Sequence, residues 1–204
     1  MPPEPNPAAR PYRGVSHAER RAERRGRLIA AAIAVYGERG YRNASVKAVC
    51  EAAGLTERYF YESFANSEEL LVACFNAVTY GVHGESVKAM RGKRSQKERM
   101  RAMLHAYFSA LKRDPRSARV FLVEIRGVSP AVDEAFELAL RTIARENAQL
   151  LALKETGADE LLQLGVLGGV IQIASSWVNR NYEPSIAAVT NTALQLTSVL
   201  LDKA

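Results

Sequence analysis

Apolar side chains recur at helical spacing through almost all of this 204-residue sequence. Val46, Val49, Cys50 and Ala53, for example, stand at i, i+3, i+4 and i+7, which places all four on one face of an α-helix. No stretch of useful length alternates between apolar and polar residues, as a half-buried β-strand would. The sequence therefore predicts an all-α fold.

Capping and breaking residues divide this periodicity into separate helices. Residues 16–19 read Ser-His-Ala-Glu, a capping box that predicts a first helix, and Gly40 ends that helix. Gly54 ends a second, short helix, Thr56 caps a third, and Asn66 opens a fourth. After a basic loop over 90–96, further helices are predicted over roughly 97–113, 117–126, 130–153, 158–181 and 185–202.

The predicted helices form a small unit and a larger one behind a leader rich in proline and arginine. Residues 1–15 contain Pro at positions 2, 3, 5, 7 and 11, so they cannot sustain a helix and are expected to be extended or disordered. Residues 16–65 hold three helices, and residues 66–204 hold the others. We therefore expect two domains.

The small unit contains a helix-turn-helix pattern, because short helices over about 45–53 and 57–63 are joined by a tight glycine turn. On the second of these helices Phe60 and Phe64 share one face, which is predicted to close a core against Val49, Ala53 and Tyr36.

The other side chains of that second helix serve a different purpose. Arg58, Tyr59 and Glu62 are predicted to point away from the core, and Glu57 and Tyr61 flank it. A helix that presents Thr, Arg and Tyr side chains from its first turns is suited to a DNA groove.

Residues 28–71 resemble the N-terminal domain of TetR-family transcriptional regulators. The resemblance is carried, in order, by Gly40-Tyr41, Ser45-Val46, Ala53-Gly54-Leu55-Thr56, Phe60-Tyr61, Phe64 and Glu68-Glu69-Leu70. It implies that residues 16–65 form a helix-turn-helix DNA-binding domain and residues 66–204 a helical bundle for ligand binding and dimerisation. It further implies a regulator, most often a repressor, that binds a palindromic operator in double-stranded DNA as a homodimer and is released by a small hydrophobic effector.

The resemblance also assigns DNA contacts to individual residues. Arg58 and Tyr59 occupy positions that read bases in such proteins. Contacts to phosphate or to the DNA edge are implied for Ser45, Lys47, Thr56 and Tyr61. The sequence departs from the family pattern at Tyr59, where a small residue is common, at Glu62, where histidine is frequent, and at Ser67, where lysine is usual.

The charge distribution favours an anionic partner. The formal net charge is +6, which suggests nucleic acid first and a membrane surface second, although a merely basic surface is an alternative. Residues 10–27 hold seven arginines, of which Arg10 and Arg13 resemble a minor-groove arm. A second basic cluster comprises Lys88, Arg91, Lys93, Arg94, Lys97, Arg99 and Arg101.

Two late segments, 161–178 and 186–201, are apolar nearly all round, so each should be buried on several sides. In the family the last two helices of each subunit pair as a four-helix dimer interface. The residues expected at that interface are Gly165, Gly168 and Gly169, which permit close approach, and Gln172 and Thr192, which can hydrogen-bond across it. An internal hairpin of a monomer is the alternative.

The middle helices would enclose the ligand. Candidate lining residues are Phe75, Met103, Tyr107, Phe108, Phe121, Glu124, Phe136 and Trp177. Their apolar, aromatic and methionine character indicates a hydrophobic ligand. Ordinary core packing is the alternative for each of them.

Other functional classes lack support in the sequence. It contains no glycine-rich phosphate loop, no paired histidines at metal-ligand spacing and no nucleophile motif, so we predict no enzyme, no metal and no cofactor. Two isolated cysteines suggest a reducing cytoplasm, and no secretory signal or membrane-spanning helix is predicted. The remaining alternative is a helical small-molecule-binding or scaffold protein that binds no operator.

Overall fold

The computed structural model describes residues 16–153 and 157–201, and within these ranges it contains helices and no strand. The helices are α1 (His17–Arg39), α2 (Val46–Ala53), α3 (Glu57–Tyr61), α4 (Ser67–Ala89), α5 (Gln96–Arg113), α6 (Pro115–Arg119), α7 (Pro130–Leu150), α8 (Gly157–Asn179) and α9 (Ile186–Leu201). A 3-10 turn, Tyr41–Asn43, and a π-helical turn, Val120–Glu124, complete the elements. The all-α prediction is confirmed.

The start and end of α1 follow the local sequence signals. Ser16 Oγ accepts a hydrogen bond from the Glu19 backbone N–H at 3.1 Å, and Glu19 Oε2 accepts one from the Ser16 backbone N–H at 2.6 Å. This reciprocal capping box satisfies two helix-end donors. Gly40 ends the helix with φ at +82°, a region that favours glycine.

Helices α1 to α3 form a compact unit, which we call the head. Gly54 adopts a left-handed conformation, with φ at +62°, and makes the turn from α2 to α3. Phe60 and Phe64 are 0% and 2% exposed, so the prediction that they anchor α3 in the core is confirmed. Arg27 donates a hydrogen bond of 2.7 Å from Nη2 to the Ala53 carbonyl oxygen and thereby caps the end of α2.

Helices α4 to α9 form a bundle, which we call the body. Its centre is α5, which packs against α4 and α9, while α8 packs against α7 and α9. The head rests on the body where α1 crosses α4 and α6. At the crossing with α6 only a glycine fits, because a Cβ added at Gly37 would lie 2.5 Å from the Arg116 Cβ.

Several predicted helix boundaries are wrong. Helix α3 ends at Tyr61 rather than 63, because the N–H groups of Ser63 and Phe64 both bond to the Phe60 carbonyl oxygen. The helix predicted over 117–126 begins at Pro115, since Asp114 Oδ1 caps Ser117 N at 3.1 Å, and it changes into a π turn from Val120.

One described helix qualifies the prediction that no helix is long and apolar enough to span a membrane. In the part of the chain that the structure describes, Glu160–Asn179 is long and apolar enough to cross a membrane by length and composition alone. Only 28% of its apolar window is buried within this single chain. One face packs inward through Val170, Ala174 and Trp177, and the opposite face is left without cover from the described residues.

Candidate DNA-binding surface and ligand cavity

Helix α3 presents its polar-tipped residues to solvent at the surface of the head. The Arg58 side chain is 85% exposed and Tyr61 is 60% exposed, with the Tyr61 ring against the edge of Phe60. Thr56 is the N-cap residue of α3, but its side chain makes no capping hydrogen bond. Helix α3 and its N-cap residue therefore offer a hydroxyl, a guanidinium and a phenol to a partner.

Tyr59 lies differently from its predicted position, because it is half-buried rather than pointing away from the head. The Arg24 guanidinium of α1 lies 4.4 Å from the centre of its ring, a cation–π contact. The Ser63 hydroxyl donates a 3.0 Å hydrogen bond to the Tyr59 carbonyl oxygen. Tyr59 thus helps to dock α3 on α1.

The two predicted contact residues of α2 lie at its exposed N-terminal end. Ser45 Oγ accepts a hydrogen bond from the Ala48 backbone N–H at 3.1 Å and so caps the helix, as predicted. Lys47 is exposed, with its Nζ 4.0 Å from Glu51 Oε1. An exposed ion pair of this length is weak, so the Lys47 ammonium can turn toward a phosphate.

Glu62 adds negative charge to this basic surface. Its carboxylate lies 3.1 Å from Arg58 Nε and 3.7 Å from Arg24 Nη2. The Glu62 side chain is 37% exposed. The pair engages Arg58 Nε, so Glu62 competes with a base for the guanidinium of Arg58.

Much of the basic run over 10–27 serves the structure of the head. Arg24 stacks on Tyr59, Arg27 caps α2, and the Arg25 guanidinium lies 4.5 Å from the centre of the Phe64 ring. Arg20 and Arg21 are exposed. The predicted leader 1–15, with Arg10 and Arg13, lies outside the described residues.

The second basic cluster, over 88–101, lies where α4 ends and α5 begins. Helix α4 has 23 residues, so this end is roughly 35 Å along the helix axis from the head. The cluster is therefore separate from the surface that α3 presents.

The body encloses a cavity with a volume of about 110 Å³, lined from α4, α5, α7, α8 and α9. Of the eight predicted lining residues, Met103, Tyr107 and Phe121 line it. Phe75 lies behind the wall, stacked on Phe121 at 5.7 Å between ring centres, and Phe136 packs on Phe75. These two aromatics are core residues rather than lining residues.

The other predicted lining residues are also misplaced. Phe108 and Trp177 pack edge to face at 5.5 Å between ring centres, away from the cavity. Glu124 lies at the junction of head and body, where Oε2 accepts a 2.7 Å hydrogen bond from the Tyr41 backbone N–H and Oε1 accepts one of 2.8 Å from Arg119 Nε. Its carboxylate is occupied by these head and body donors and does not line the cavity.

Sequence reasoning missed the polar part of the cavity wall, which includes Thr79, His83, Asn147 and Gln163. These side chains interrupt apolar stripes, and that interruption is the signal that could have found them. His83 Nε2 lies 3.0 Å from Glu146 Oε2. Among the described residues no group of three or more metal-ligating side chains occurs.

The predicted dimer residues have mixed surroundings. A Cβ added at Gly169 would lie 2.7 Å from Leu196 Cδ2, so Gly169 serves the approach of α9 within the chain. Gly165 and Gly168 have open space, and Gln172 and Thr192 are exposed. The exposed surface of α8 and α9 also carries apolar side chains, namely Leu161, Leu196 and Val199.

The chain is similar to known transcriptional regulators. Residues 28–74 match the family model described as "Bacterial regulatory proteins, tetR family". The chain is 24% identical over 165 residues to the HTH-type transcriptional activator FasR of Mycolicibacterium smegmatis, covering 79% of this chain and 75% of FasR. It is 23% identical over 176 residues to the Fatty acid metabolism regulator protein of Bacillus subtilis, covering 83% of this chain and 91% of that protein.

Solved structures show the same fold. FadR from Bacillus subtilis in complex with stearoyl-CoA superposes with a TM-score of 0.67 at 24% identity, covering 84% of this chain and 96% of FadR. FadR from Bacillus halodurans superposes with a TM-score of 0.73 at 21% identity, covering 85% of this chain and 93% of that FadR. The match of the family model to residues 28–74 confirms the resemblance inferred from residues 28–71.

Proposed function

We propose that this chain, which belongs to the TetR family of transcriptional regulators, is a cytoplasmic repressor that binds a palindromic operator as a homodimer and is released by a small hydrophobic effector. The observation that carries the proposal is the surface of α3. Arg58 and Tyr61 are exposed there on a helix anchored by the buried Phe60 and Phe64. Residues 16–65 would bind DNA, and residues 66–204 would bind ligand and dimerise.

Each exposed residue of the head has a proposed contact. Arg58 reads a base, because a guanidinium can bond bidentately to guanine in the major groove. Tyr61, Thr56, Ser45 and Lys47 contact phosphates and set the register of the head on the duplex. Tyr59 contacts the DNA from its half-buried position, in which the Arg24 guanidinium lies over its ring.

The exposed face of α8 and α9 supports a homodimer. A helix as apolar as Glu160–Asn179 is stable in water only when most of its surface is covered, and 28% of its apolar window is buried within one chain. Pairing α8 and α9 with the same helices of a second copy would cover Leu161 and Val199 and bring Gly165, Gly168, Gln172 and Thr192 to the interface. Two-fold symmetry then places two heads on one palindromic site.

Helix α4 connects the cavity with the head. Its first residues follow Asn66, whose Oδ1 caps the helix by accepting from the Glu69 backbone N–H at 2.9 Å, and its later residues Thr79 and Val82 line the cavity. A cavity of about 110 Å³ is smaller than the roughly 300–1,000 Å³ of sites for drug-sized ligands. A ligand in this cavity contacts α4 through Thr79 and Val82, and a shift of α4 would change the spacing of the heads. Only a ligand that prefers the non-binding spacing releases the operator.

One observation favours the alternative, a helical small-molecule-binding or scaffold protein that binds no operator. Glu62 places a carboxylate on the surface of α3 beside Arg58, where it would repel phosphate. The guanidinium groups of Arg24 and Arg58 both lie within 4 Å of this carboxylate and offset its charge, and we therefore retain operator binding.

A reporter gene fused to the region upstream of the chain's own gene tests the proposal in cells. Expression of the wild-type chain should lower reporter output, and a Tyr61→Phe, Arg58→Ala double variant produced at the same level should not. Unchanged output with the wild-type chain would support the scaffold alternative. Raised output would show an activator, as the relative FasR is named.

A further inference from the structure

Three buried polar atoms on the cavity wall have no hydrogen-bond partner among the residues that the structure describes. They are Thr79 Oγ1 on α4, the Tyr107 hydroxyl on α5 and Asn147 Oδ1 on α7. Thr79 is only 5% exposed. Buried polar groups in folded proteins are nearly always hydrogen-bonded, so three such atoms around one cavity point to a ligand that pairs with them.

The remainder of the wall excludes a charged ligand. It consists mainly of apolar side chains, such as Met103, Leu104, Ile143 and Val170, and none of the described residues that line it is a lysine, arginine, aspartate or glutamate. Among the described residues that line it, His83 is the one ionisable base, and its Nε2 lies 3.0 Å from Glu146 Oε2. An ion transferred into this cavity would lose its hydration without a compensating charge.

The hydrogen-bonding capacity of the three atoms indicates which polar group the ligand carries. The hydroxyls of Thr79 and Tyr107 can each donate or accept a hydrogen bond, whereas Asn147 Oδ1 can only accept. Burial raises the pKa of Tyr107, so its hydroxyl keeps its proton. A carbonyl oxygen on the ligand would leave Asn147 without a donor. A hydroxyl can donate to Asn147 and accept from Tyr107 or Thr79.

We infer that this cavity binds a neutral, largely apolar molecule that carries a hydroxyl group, and that Thr79, Tyr107 and Asn147 recognise that hydroxyl. That this molecule is also the effector rests on the proposed function, whereas its binding to the cavity does not. The volume of about 110 Å³ is of the same order as the roughly 150 Å³ of a cavity that holds benzene, so molecules with a single ring are the probes to test.

Phenol and toluene are suitable probes, because they have similar volumes and differ by a hydroxyl in place of a methyl group. Calorimetric titration of the full chain without DNA measures the affinity of each. Toluene is the more hydrophobic, so an apolar cavity without polar recognition would prefer it. We expect phenol to bind roughly tenfold more tightly or better, because toluene leaves the three polar atoms unpaired.

Two variants test the assignment of the polar atoms. Tyr107→Phe and Thr79→Val each remove one hydroxyl at nearly constant volume, and each should reduce the preference for phenol. Tyr80→Phe is the matched control, because Tyr80 is 48% exposed on α4 and does not line the cavity, and it should leave the preference unchanged. Thermal melts identify any variant that fails to fold, in which case the other one decides.

Several results would overturn the inference. One is that toluene binds as tightly as phenol or more tightly, and another is that neither probe binds. A third is that benzoate binds as tightly as phenol, and a fourth is that both folded variants keep the full preference for phenol. Binding of stearoyl-CoA alone would assign the cavity to a ligand like that of FadR. Phenol that binds as expected and leaves operator affinity unchanged would confirm the site and contradict only its role in operator release.

Discussion

The carboxylate of Glu124 accepts a 2.7 Å hydrogen bond from the backbone N–H of Tyr41 and thereby ties the body to the head. Arg119 holds the second carboxylate oxygen, and the Glu124 side chain is only 10% exposed. Phe121, three residues earlier in the same π-helical turn, lines the cavity. This turn therefore contacts both the ligand cavity and the DNA-binding unit, and it offers a second route of coupling beside α4.

Replacing Glu124 with Gln should destabilise the protein by about 1–3 kcal/mol. The neutral amide cannot accept from Tyr41 and Arg119 as strongly, and its NH₂ group faces donors. Glu85→Gln is the control, since Glu85 forms an exposed pair with Arg113 at 2.7 Å that should contribute less than about 1 kcal/mol. Thermal or urea unfolding measures both variants, and equal effects would contradict the role given to Glu124.

Gly37→Ala should weaken the docking of α1 on α6, because the new Cβ would lie 2.5 Å from the Arg116 Cβ and 2.7 Å from its Cα. Backbone atoms cannot yield as a flexible side chain does, so the helices must separate. Gly26→Ala on the same helix has open space and should stabilise the protein by up to about 1 kcal/mol through helix propensity. Melting temperatures that shift in opposite directions would support this packing, and a stabilising Gly37→Ala would refute it.

Tyr61→Phe should weaken binding to operator and to random DNA by a similar factor, because the lost hydroxyl is expected on a phosphate, which carries no sequence information. The ring packs on Phe60 in either variant, so the fold should be retained. Fluorescence anisotropy with both DNAs measures the change, and Tyr80→Phe serves as the control. Unchanged affinities would remove Tyr61 from the DNA contacts.

Arg58→Ala should cost roughly 1–3 kcal/mol of operator affinity and relax specificity at one base position in each half-site. The physical reason is the loss of a bidentate contact to a guanine. Binding measured over a set of operators with single base changes resolves the position. A uniform loss over the whole set would show that Arg58 holds phosphate instead.

Glu62→Gln should tighten binding to all DNA sequences. The substitution removes a negative charge from the contact surface and releases Arg58 from its 3.1 Å ion pair. Because the effect is electrostatic, it should be larger at low salt than at high salt. A loss of operator affinity in this variant would instead show that Glu62 positions Arg58 for its contact.

The features predicted correctly from the sequence are those set by neighbours in the chain. The capping box at Ser16, the turn at Gly54 and the burial of Phe60 and Phe64 each depend on residues within about one helical turn, where spacing alone is informative. Met103 was placed on the cavity correctly because it lies on an apolar stripe of a helix central to the body.

The errors concern contacts between residues far apart in the chain. Glu124 was assigned to the ligand because nothing local reveals that its partner is Tyr41, which is 83 positions away. Tyr59 was expected to face outward because the arginine that covers its ring comes from α1. The side chains of Thr79 and Asn147 meet at one cavity only after α4 and α7 have packed, so spacing along either helix could not indicate a joint role.

A gel shift at one fixed salt concentration measures whether α3 binds an operator. The chain is titrated against DNA from immediately upstream of its own gene and against a scrambled duplex of equal length and composition. Affinity for the upstream DNA should be at least about 10³-fold higher, with two chains bound per palindrome whose half-sites lie about one helical turn, or a multiple of it, apart. Equal affinity for the two duplexes would contradict operator binding by α3.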